Sequence, residues 1–366
     1  MRYRYSSKPG VKAVLFAAKH KIRLVVKNTR HHFLGRSSGA AARGTREVPA
    51  VTIGAGEQWR DVYKAAGEHK LTVVDGAASS VGAAGGWLQG GGHNPLSSLF
   101  GLGVDNALQT VSWVLRGEVG VLLDVTYKTH PPTSLVTVPI SLNTTDSQKL
   151  KEFTEVFFRA LPNITDKGIR GYVSWVLPVG FSFFVIHANS SGIAATNAIL
   201  QPIFDWADQN PGTHIDSDSG NFPSFDSFFV EYFSGRRWRV NTHTLFTDSW
   251  WGSIRYDRPR ITGLNPQRRN QALGSWNPVG IWDHDMPEQE VKMIKPAVTN
   301  VTQALGKLGG LDDAAYFNEA DPNDSQRKNA FFGVHYDRLL KIKREVDPEG
   351  VLACNRCVGY DGLSED

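Results

Sequence analysis

Apolar and polar positions in the first third of the chain follow two different periods. Residues 11–20 carry apolar side chains at helical spacing, and 22–26 form a continuous apolar run typical of a buried strand. Residues 50–56 and 72–76 predict two further strands, with a helix between them. The apolar face of this helix consists of Trp59, Val62, Tyr63 and Ala66. Strands that alternate with helices indicate an α/β arrangement at the start of the chain.

The pattern changes between residues 81 and 106, where glycine is so frequent that we expect no regular element. Such a segment lets the backbone approach a ligand closely, because glycine has no Cβ and accepts positive φ. A flexible connector is the alternative interpretation. The leucine, tryptophan and phenylalanine residues within the segment favour an ordered loop.

A predicted strand over 120–132 ends at two prolines, which indicates a domain boundary. Longer elements follow this boundary. Asp146 predicts the N-cap of a helix that continues through Phe158. The second part of the chain is therefore expected to contain longer elements than the first.

The elements after this helix predict an α+β domain. Residues 172–177 and 181–189 alternate like two paired antiparallel strands, and 193–209 predict a helix that Pro202 interrupts. Near the end of the chain, 329–350 predict an amphipathic helix. Its apolar stripe consists of Phe332, His335, Leu339 and Ile342.

Composition narrows the classes of partner. Forty Lys and Arg residues against 36 Asp and Glu give a net charge of +4, and the basic residues are scattered, so we expect no nucleic-acid partner. The longest apolar run is far shorter than the roughly 20 residues of a membrane span, so we expect no membrane partner. Cys354 and Cys357 have no second ligand pair, which argues against a metal site and leaves a local disulfide or two free thiols.

Five Asn-x-Ser/Thr sequons favour a glycoprotein of the secretory pathway. They begin at Asn143, Asn163, Asn189, Asn300 and Asn323. The start of this sequence has no signal-peptide pattern. We therefore expect a secreted protein if a leader precedes it, and a cytoplasmic one if Met1 is the true start.

Two adjacent histidines, His31 and His32, lie in a polar loop after an apolar strand. Paired imidazoles can ligate a metal, transfer protons or anchor a cofactor, or one can simply hydrogen-bond the loop. The backbone N–H groups of 28–38, with the Ser37 and Ser38 hydroxyls, would form an anion-binding nest. Together with the glycine-rich segment, this loop would hold a pyrophosphate and its attached ring system.

Four segments together resemble one family. They read VVKNTRHHFLGRSSG, TIGAGEQWRDVYKAAGEHKLTVVDG, SSVGAAGGWLQGGGHNPLSSLFGLGVDN and, near the end, AAYFNEAD followed by FFGVHYDRLLKIKREVDPEGVLACNRCVG. In this order they resemble the fungal berberine-bridge-enzyme-like FAD-linked oxidoreductases of the vanillyl-alcohol oxidase superfamily. The resemblance is weak over 134–305.

The resemblance implies an α+β, two-domain FAD-binding fold of the PCMH type. Residues 1–133 would form the N-terminal part of the FAD-binding domain, and 134–309 a substrate domain with an antiparallel sheet flanked by helices. Residues 310–366 would return to the FAD-binding domain. The implied cofactor is FAD, and the implied partners are a small-molecule substrate and molecular oxygen, in secondary metabolism.

The resemblance also implies roles for individual residues. His31 matches the histidine that bonds covalently to the 8α-methyl group of the isoalloxazine ring. The other cofactor-binding positions would be Asn28, Thr29, His32, Gly35, Ser37, Ser38, Gly82, Gly85, Gly90, Gly91, Gly92, His93, Gly120 and Val121. Tyr316 and Asn318 match the C-terminal motif near the flavin ring. Glu319 is a candidate base, with a surface or helix-capping carboxylate as the alternative interpretation.

Three residues depart from the family pattern. Arg30 replaces the glycine before the attaching histidine, and its side chain would either block FAD or pair with the pyrophosphate. His32 replaces an acidic residue, and Ala78 replaces the cysteine that makes a second covalent link in some members. We therefore expect at most one covalent link.

Three segments of the family pattern are also missing from this sequence. The family's leading strand and helix before residue 10 are absent, the bridge over 35–51 is shorter than usual, and most of the glycine-rich stretch before the strand at 120 is absent. A non-catalytic remnant or binding protein that has lost FAD is the alternative prediction.

Overall fold

A computed structural model of the 366-residue chain describes residues 16, 19–20, 49–74, 76, 78–112, 122–144, 146–176, 180–210, 219–232, 248–251, 254–257, 272–276, 279–282, 287–309, 316–318, 327–348, 350–351 and 356–359. The strand predicted over 22–26 lies outside these ranges. Of the helix predicted over 11–20, Phe16 and Lys19 are helical, and the His20 N–H donates to the Phe16 carbonyl at 3.0 Å.

The first sheet is antiparallel and is built around one central strand. Its strands are β1 (Ala50–Gly54), β2 (Thr72–Val73), β3 (Ala107–Ser112) and β4 (Leu122–His130). Each of β1, β2 and β3 pairs with β4. The predicted strands at β1, β2 and β4 are confirmed, although β2 is shorter than expected. The sequence did not predict β3.

Helix α1 (Trp59–Glu68) packs its predicted apolar face against this sheet. Trp59, Val62 and Tyr63 are buried and belong to the same core as Val125 and Tyr127 of β4. The helical period of the sequence therefore identified the buried face correctly.

The glycine-rich segment contains three one-turn helices, so the expectation of no regular element there was wrong. These helices are α2 (Gly86–Gln89), α3 (Ser97–Phe100) and α4 (Gly103–Asn106). Buried side chains hold them in place, including Trp87 and Leu88 of α2 and Asn106 of α4. Short helices fixed by tertiary contacts leave no periodic signal in the sequence.

The second sheet is antiparallel with the order β6-β7-β5-β8. Its strands are β5 (Leu135–Asn143), β6 (Ile169–Val176), β7 (Gly180–Ala188) and β8 (Gly220–Phe222). The antiparallel pairing predicted for β6 and β7 is confirmed. Alternate residues serve two cores: Phe183 and Val185 of β7 pack with the flanking helices, whereas Phe184 and Ile186 join the core of the first sheet.

Two long helices cover the outer face of this sheet. Helix α5 (Ser147–Asp166) begins where predicted, because an Asp146 carboxylate oxygen accepts hydrogen bonds from the backbone N–H groups of Gln148 and Lys149. It continues well past the predicted end. Helix α6 (Ile193–Gln209) runs through Pro202, so the predicted interruption was wrong. Pro202 is exposed, and the buried neighbours Leu200 and Ile203 hold the helix against the core.

An aromatic helix, α7 (Phe225–Tyr232), connects the two sheets. The Tyr63 ring of α1 lies 3.9 Å from the Phe229 ring and 5.5 Å from the Phe225 ring, measured between centroids. The Tyr232 hydroxyl accepts a 3.1 Å hydrogen bond from Thr137 of β5. The division of the chain at residue 133 stays a prediction.

Two strand pairs and four helical segments complete the described structure. The strands are β9 (Asp248–Trp251) with β12 (Val279–Trp282), and β10 (Ile254–Asp257) with β11 (Ala272–Trp276). The helical segments are α8 (Glu288–Gly309), α9 (Arg327–Phe332), a 3-10 turn (Gly333–His335) and α10 (Tyr336–Val346). The single helix predicted over 329–350 is therefore divided, and its stripe residue His335 is exposed.

Three chemical expectations can be compared with this architecture. Cys357 is disulfide-bonded, which resolves the choice left open for the cysteine pair. Asn163, Asn189 and Asn300 are exposed, but their glycosylation stays a prediction. In the part of the chain that the structure describes, no helix is long and apolar enough to cross a membrane.

Candidate functional site

The candidate site residues fall into two groups. Asn28, Thr29, His31, His32, Gly35, Ser37, Ser38, Gly120, Val121 and Glu319 lie outside the described residues. Gly82, Gly85, Gly90, Gly91, Gly92, His93, Tyr316 and Asn318 are described. Ala78, at the position of the absent second attachment residue, is exposed.

The structure brings the glycine-rich segment and the C-terminal motif together. The buried side-chain amide of Asn318 donates a 2.8 Å hydrogen bond to the carbonyl of Gly86, 232 residues away in sequence. The same nitrogen donates to the Tyr316 hydroxyl oxygen at 3.0 Å. The Tyr316 ring packs edge-on against the His93 ring, with 4.8 Å between centroids. Tyr316, Asn318 and His93 therefore form one cluster.

Gly90 lies directly under this cluster. A Cβ added at Gly90 would overlap the Asn318 amide nitrogen and lie 3.2 Å from Cε2 of Tyr316. Real Cβ atoms essentially never come so close to other atoms. Contact between the loop and the C-terminal motif therefore depends on glycine at this position.

Residue Phe317 points the other way along the motif. Its ring lies 5.3 Å from the rings of both Phe331 and Phe332 in α9. Since Tyr316 and Asn318 face the glycine loop, the motif connects the C-terminal helices to the site.

The backbone of Gly91 and Gly92 takes a conformation that favours glycine, with φ of +112° and +74°. Their carbonyls accept hydrogen bonds from α4: Val104 N–H donates to Gly91 O at 3.0 Å, and Gly103 N–H donates to Gly92 O at 2.7 Å. Because a trans peptide directs its N–H opposite to its carbonyl, the N–H groups of Gly92 and His93 point away from α4.

Trp87 is a site residue that the sequence analysis missed. Its indole Nε1 donates to the His93 carbonyl at 3.1 Å, and its ring fills the space beside Gly92 and Gly103, where an added Cβ would overlap it. Trp87 also contacts Trp59 edge-on at 4.9 Å. A single large aromatic residue inside a run of glycines was the available signal.

Tyr172 on β6 was also missed, because nothing local in the sequence distinguishes it. Its ring lies 6.2 Å from the His93 ring, on the sheet face opposite to helices α5 and α6. The second sheet therefore borders the same cluster as the C-terminal motif.

Three buried polar atoms near the glycine segment have no hydrogen-bond partner among the described residues: Oε1 of Gln58, Nε1 of Trp59 and Oε1 of Gln89. Gln58 pairs with Gly82 in an isolated bridge, and the Gly85 carbonyl accepts from the Gln89 N–H at 3.3 Å. A buried donor or acceptor without a partner is costly, so these atoms indicate a ligand or ordered water. FAD offers hydroxyl, imide and carbonyl groups that can pair with both kinds of atom, so this part of the site fits FAD.

Among the residues that the structure describes, no three His, Cys, Asp or Glu side chains are close enough to hold a metal ion. The polar groups that do converge are a phenol, an imidazole, a carboxamide and backbone amides. This set can orient an organic ligand and move a proton.

Comparison with known proteins gives one family match. The family described as berberine and berberine-like matches residues 315–358, which include the C-terminal motif. An FAD-linked oxidoreductase of Arthroderma benhamiae is 32% identical over 433 aligned positions, covering 97% of this chain and 76% of the relative. A VAO-type flavoprotein oxidase of Thermothelomyces thermophilus is 24% identical and covers 95% of this chain and 74% of the relative.

The same likeness extends to the fold. The crystal structure of a VAO-type flavoprotein of Myceliophthora thermophila superposes with a TM-score of 0.74 at 21% identity, covering 94% of this chain and 77% of that one. The 433 aligned positions with the Arthroderma relative exceed the 366 residues of this chain, so internal segments of the relative are absent here.

Proposed function

The chain belongs to the berberine-bridge-enzyme-like FAD-linked oxidoreductases, and from that premise we propose that it oxidises a small organic substrate with molecular oxygen as the final electron acceptor. It is an oxidoreductase, and its α+β fold is that of the VAO- and PCMH-type FAD-binding proteins. When bound, FAD supplies a hydride acceptor at N5 and a route for electrons to oxygen. The pathway and the substrate stay predictions.

One observation carries this proposal: the 2.8 Å hydrogen bond from Asn318 to Gly86, which joins two motifs from opposite ends of the chain. The glycine loop would hold the cofactor through Gly82, Gly85 and the 90–93 segment. The C-terminal motif would face the reacting end of the cofactor. Neither part would form a site alone.

Two residues are candidates for removing the substrate proton. Asn318 fixes the position of the Tyr316 hydroxyl oxygen by donating a hydrogen bond to it, and Tyr316 in its deprotonated form can serve as a base. Glu319, which follows Asn318 directly, is the other candidate. In either case, Asn318 orients the reacting groups, and Tyr172 limits the substrate from the side of the second sheet.

We assign covalent attachment of the flavin to His31, with Asn28, Thr29, Ser37 and Ser38 contributing to the pyrophosphate loop. The motif match supports this assignment. Arg30 would then pair with the pyrophosphate as a cation.

The test is to express the full chain, precipitate it with acid and examine the pellet for flavin absorbance. We expect a yellow pellet from the unmodified protein and from a His32→Ala variant, and a colourless pellet with FAD in the supernatant from His31→Ala. Colour retained in His31→Ala would refute the attachment site.

The internal gaps relative to the family support a second candidate function, a protein that no longer binds FAD. Under this proposal neither pellet nor supernatant of the unmodified protein contains flavin. An Arg30→Gly variant that gains flavin would then identify Arg30 as the residue that excludes it.

A further inference from the structure

Helix α4 holds the glycine loop because backbone N–H groups of the helix donate hydrogen bonds to carbonyl groups of the loop. The two bonds from Gly103 and Val104 to Gly92 and Gly91 determine which way the peptide groups of the loop face. If α4 shifted, the N–H groups of Gly92 and His93 would no longer be held in one direction. The orientation of the loop therefore depends on what fixes α4.

Asn106, the last residue of α4, is 1% exposed, and both the nitrogen and the oxygen of its side-chain amide form hydrogen bonds. Its Nδ2 donates to the Phe100 carbonyl at 2.9 Å and to the Leu102 carbonyl at 2.8 Å. These carbonyls lie at the end of α3 and just before α4. Both amide protons of Asn106 are therefore committed to backbone acceptors, and its Oδ1 is available only as an acceptor.

His130, the last residue of β4, supplies the donor for this oxygen. Its Nε2 lies 2.8 Å from Asn106 Oδ1, and its ring stacks on the Phe100 ring with 3.9 Å between centroids and 19° between planes. Since Oδ1 can only accept, Nε2 carries the proton. Burial, followed by the positive charge of Lys128, lowers the pKa of His130, which favours the neutral imidazole, and the Asn106 acceptor selects the tautomer with its proton on Nε2.

We propose that Asn106 and His130 are positioning residues of the FAD site: they lock α4 to the central strand, and α4 in turn fixes the peptide orientation of Gly91 and Gly92. Asn106 binds the carbonyls of Phe100 and Leu102, and His130 binds Asn106, so both act on the loop through α4. This inference rests on the proposed binding of FAD at the glycine loop. It assigns a role to two buried polar residues that lie outside the cluster of Tyr316, Asn318 and His93.

A purely structural role for the bond between His130 and Asn106 predicts a different result. A buried hydrogen bond can stabilise the protein without any effect on the loop, and its loss would then lower only the thermal midpoint of unfolding. A positioning role requires that the environment of the flavin also changes. The experiment must therefore measure the absorption spectrum and retention of the flavin as well as the stability of the protein.

Two pairs of variants separate the two roles in the full-length, flavin-loaded protein. His130→Phe keeps an aromatic ring on Phe100 but removes the N–H donor, whereas His130→Gln keeps an N–H donor for Asn106. Val104→Pro deletes one of the two N–H groups that hold the loop and places a ring carbon against the Gly91 carbonyl, at a position whose side chain is exposed, and Val104→Ala is its control.

Another histidine, His187, provides a matched control for the loss of stability. His187 of β7 is also partly buried, and its Nδ1 lies 3.0 Å from Thr196 Oγ1. Burial lowers its pKa as well. His187→Phe removes a comparable hydrogen bond in the second sheet, between β7 and α6.

The readouts are the visible absorption spectrum of the bound flavin below the unfolding temperature and the retention of FAD in a His31→Ala background. Loss of one net hydrogen bond of about 1 kcal/mol corresponds to roughly fivefold weaker FAD retention. We expect this loss, with a shifted flavin spectrum, in His130→Phe and Val104→Pro. His130→Gln, Val104→Ala and His187→Phe should retain the unmodified spectrum.

Several results would overturn the proposal. One is an unchanged flavin spectrum and retention in both His130→Phe and Val104→Pro. Another is an equal change in His187→Phe. If His130→Phe does not fold, His130→Gln and Val104→Pro decide together: a shifted flavin spectrum in His130→Gln, or an unchanged one in Val104→Pro, overturns the proposal. An unmodified protein without flavin would refute the proposed function itself, whereas a flavin-loaded protein that is insensitive to these variants refutes only the positioning role.

Discussion

Replacing Gly90 by alanine tests whether the contact between the glycine loop and Asn318 stabilises the protein. The Gly90 backbone, with φ of −77° and ψ of −5°, suits any residue, so alanine introduces no backbone strain. The added Cβ would overlap the Asn318 amide nitrogen and lie 3.0 Å from its Cγ. The perturbation is therefore steric and directed at one side chain.

Two costs follow from this overlap. Forcing a methyl group into a filled space costs about 1–3 kcal/mol. If the Asn318 amide moves away, its bonds to Gly86 and Tyr316 are lost, and a buried polar group without a partner costs about 1–3 kcal/mol more. Because movement of the amide relieves part of the overlap, we expect a total loss of about 2–4 kcal/mol in the free energy of unfolding.

Urea unfolding followed by tryptophan fluorescence measures this loss. Gly54→Ala is the matched control, because a Cβ at Gly54 meets no atom within 4 Å. The double variant Gly90→Ala with Asn318→Ala gives a sharper test, since truncating Asn318 removes the atoms that the new methyl group would strike. The cost of Gly90→Ala should then be much smaller than in the unmodified background. Equal costs in the two backgrounds, or a Gly90→Ala as stable as Gly54→Ala, would refute the reasoning.

Two further predictions concern single carboxylates. Asp146→Ala should lower the unfolding free energy by about 1 kcal/mol, because it removes the N-cap of α5, whereas Asp146→Asn should cost little; equal losses in chemical denaturation would contradict this. Burial, and then the negative charge of Glu68, raise the pKa of Asp226. The folded state therefore binds this proton more tightly, and stability declines as pH rises through the raised folded pKa. Asp226→Asn should be more stable than the unmodified protein near pH 7 and should lose that advantage near pH 4 in thermal unfolding; an advantage independent of pH would contradict the assignment.

Local periodicity predicted the elements whose buried faces are decided within a few residues. The apolar face of α1, the cap of α5 and the alternation in β6 and β7 all follow from neighbouring side chains. Pro202 was misjudged because tertiary packing of α6 outweighs one missing backbone hydrogen bond. Local signals also did not reveal that every pairing in the first sheet is antiparallel, since pairing depends on distant strands.

The candidate site was predictable only as two separate motifs. Nothing in the sequence states that Asn318 contacts Gly86, and the family resemblance alone suggested that both motifs face one cofactor. Trp87 and Tyr172 escaped notice because a lone aromatic residue carries no period. The hydrogen bond from His130 Nε2 to Asn106 Oδ1 joins the end of β4 to the end of α4, and the local sequence pattern does not report this contact.

The hydrogen bond between Asn318 and Gly86 has a consequence for the order of events during synthesis. It closes a loop of 232 residues, and closing such a loop costs about 2 kcal/mol more in chain entropy than closing one a tenth as long. On the ribosome, the glycine loop is synthesised long before the C-terminal motif that contacts it, so the first sheet can form before the site is complete. Phe317, anchored between Phe331 and Phe332, makes the arrival of α9 part of the same closing event. A nascent chain that ends before this segment would contain the buried residues of both sheet cores but would lack the contact between Asn318 and Gly86.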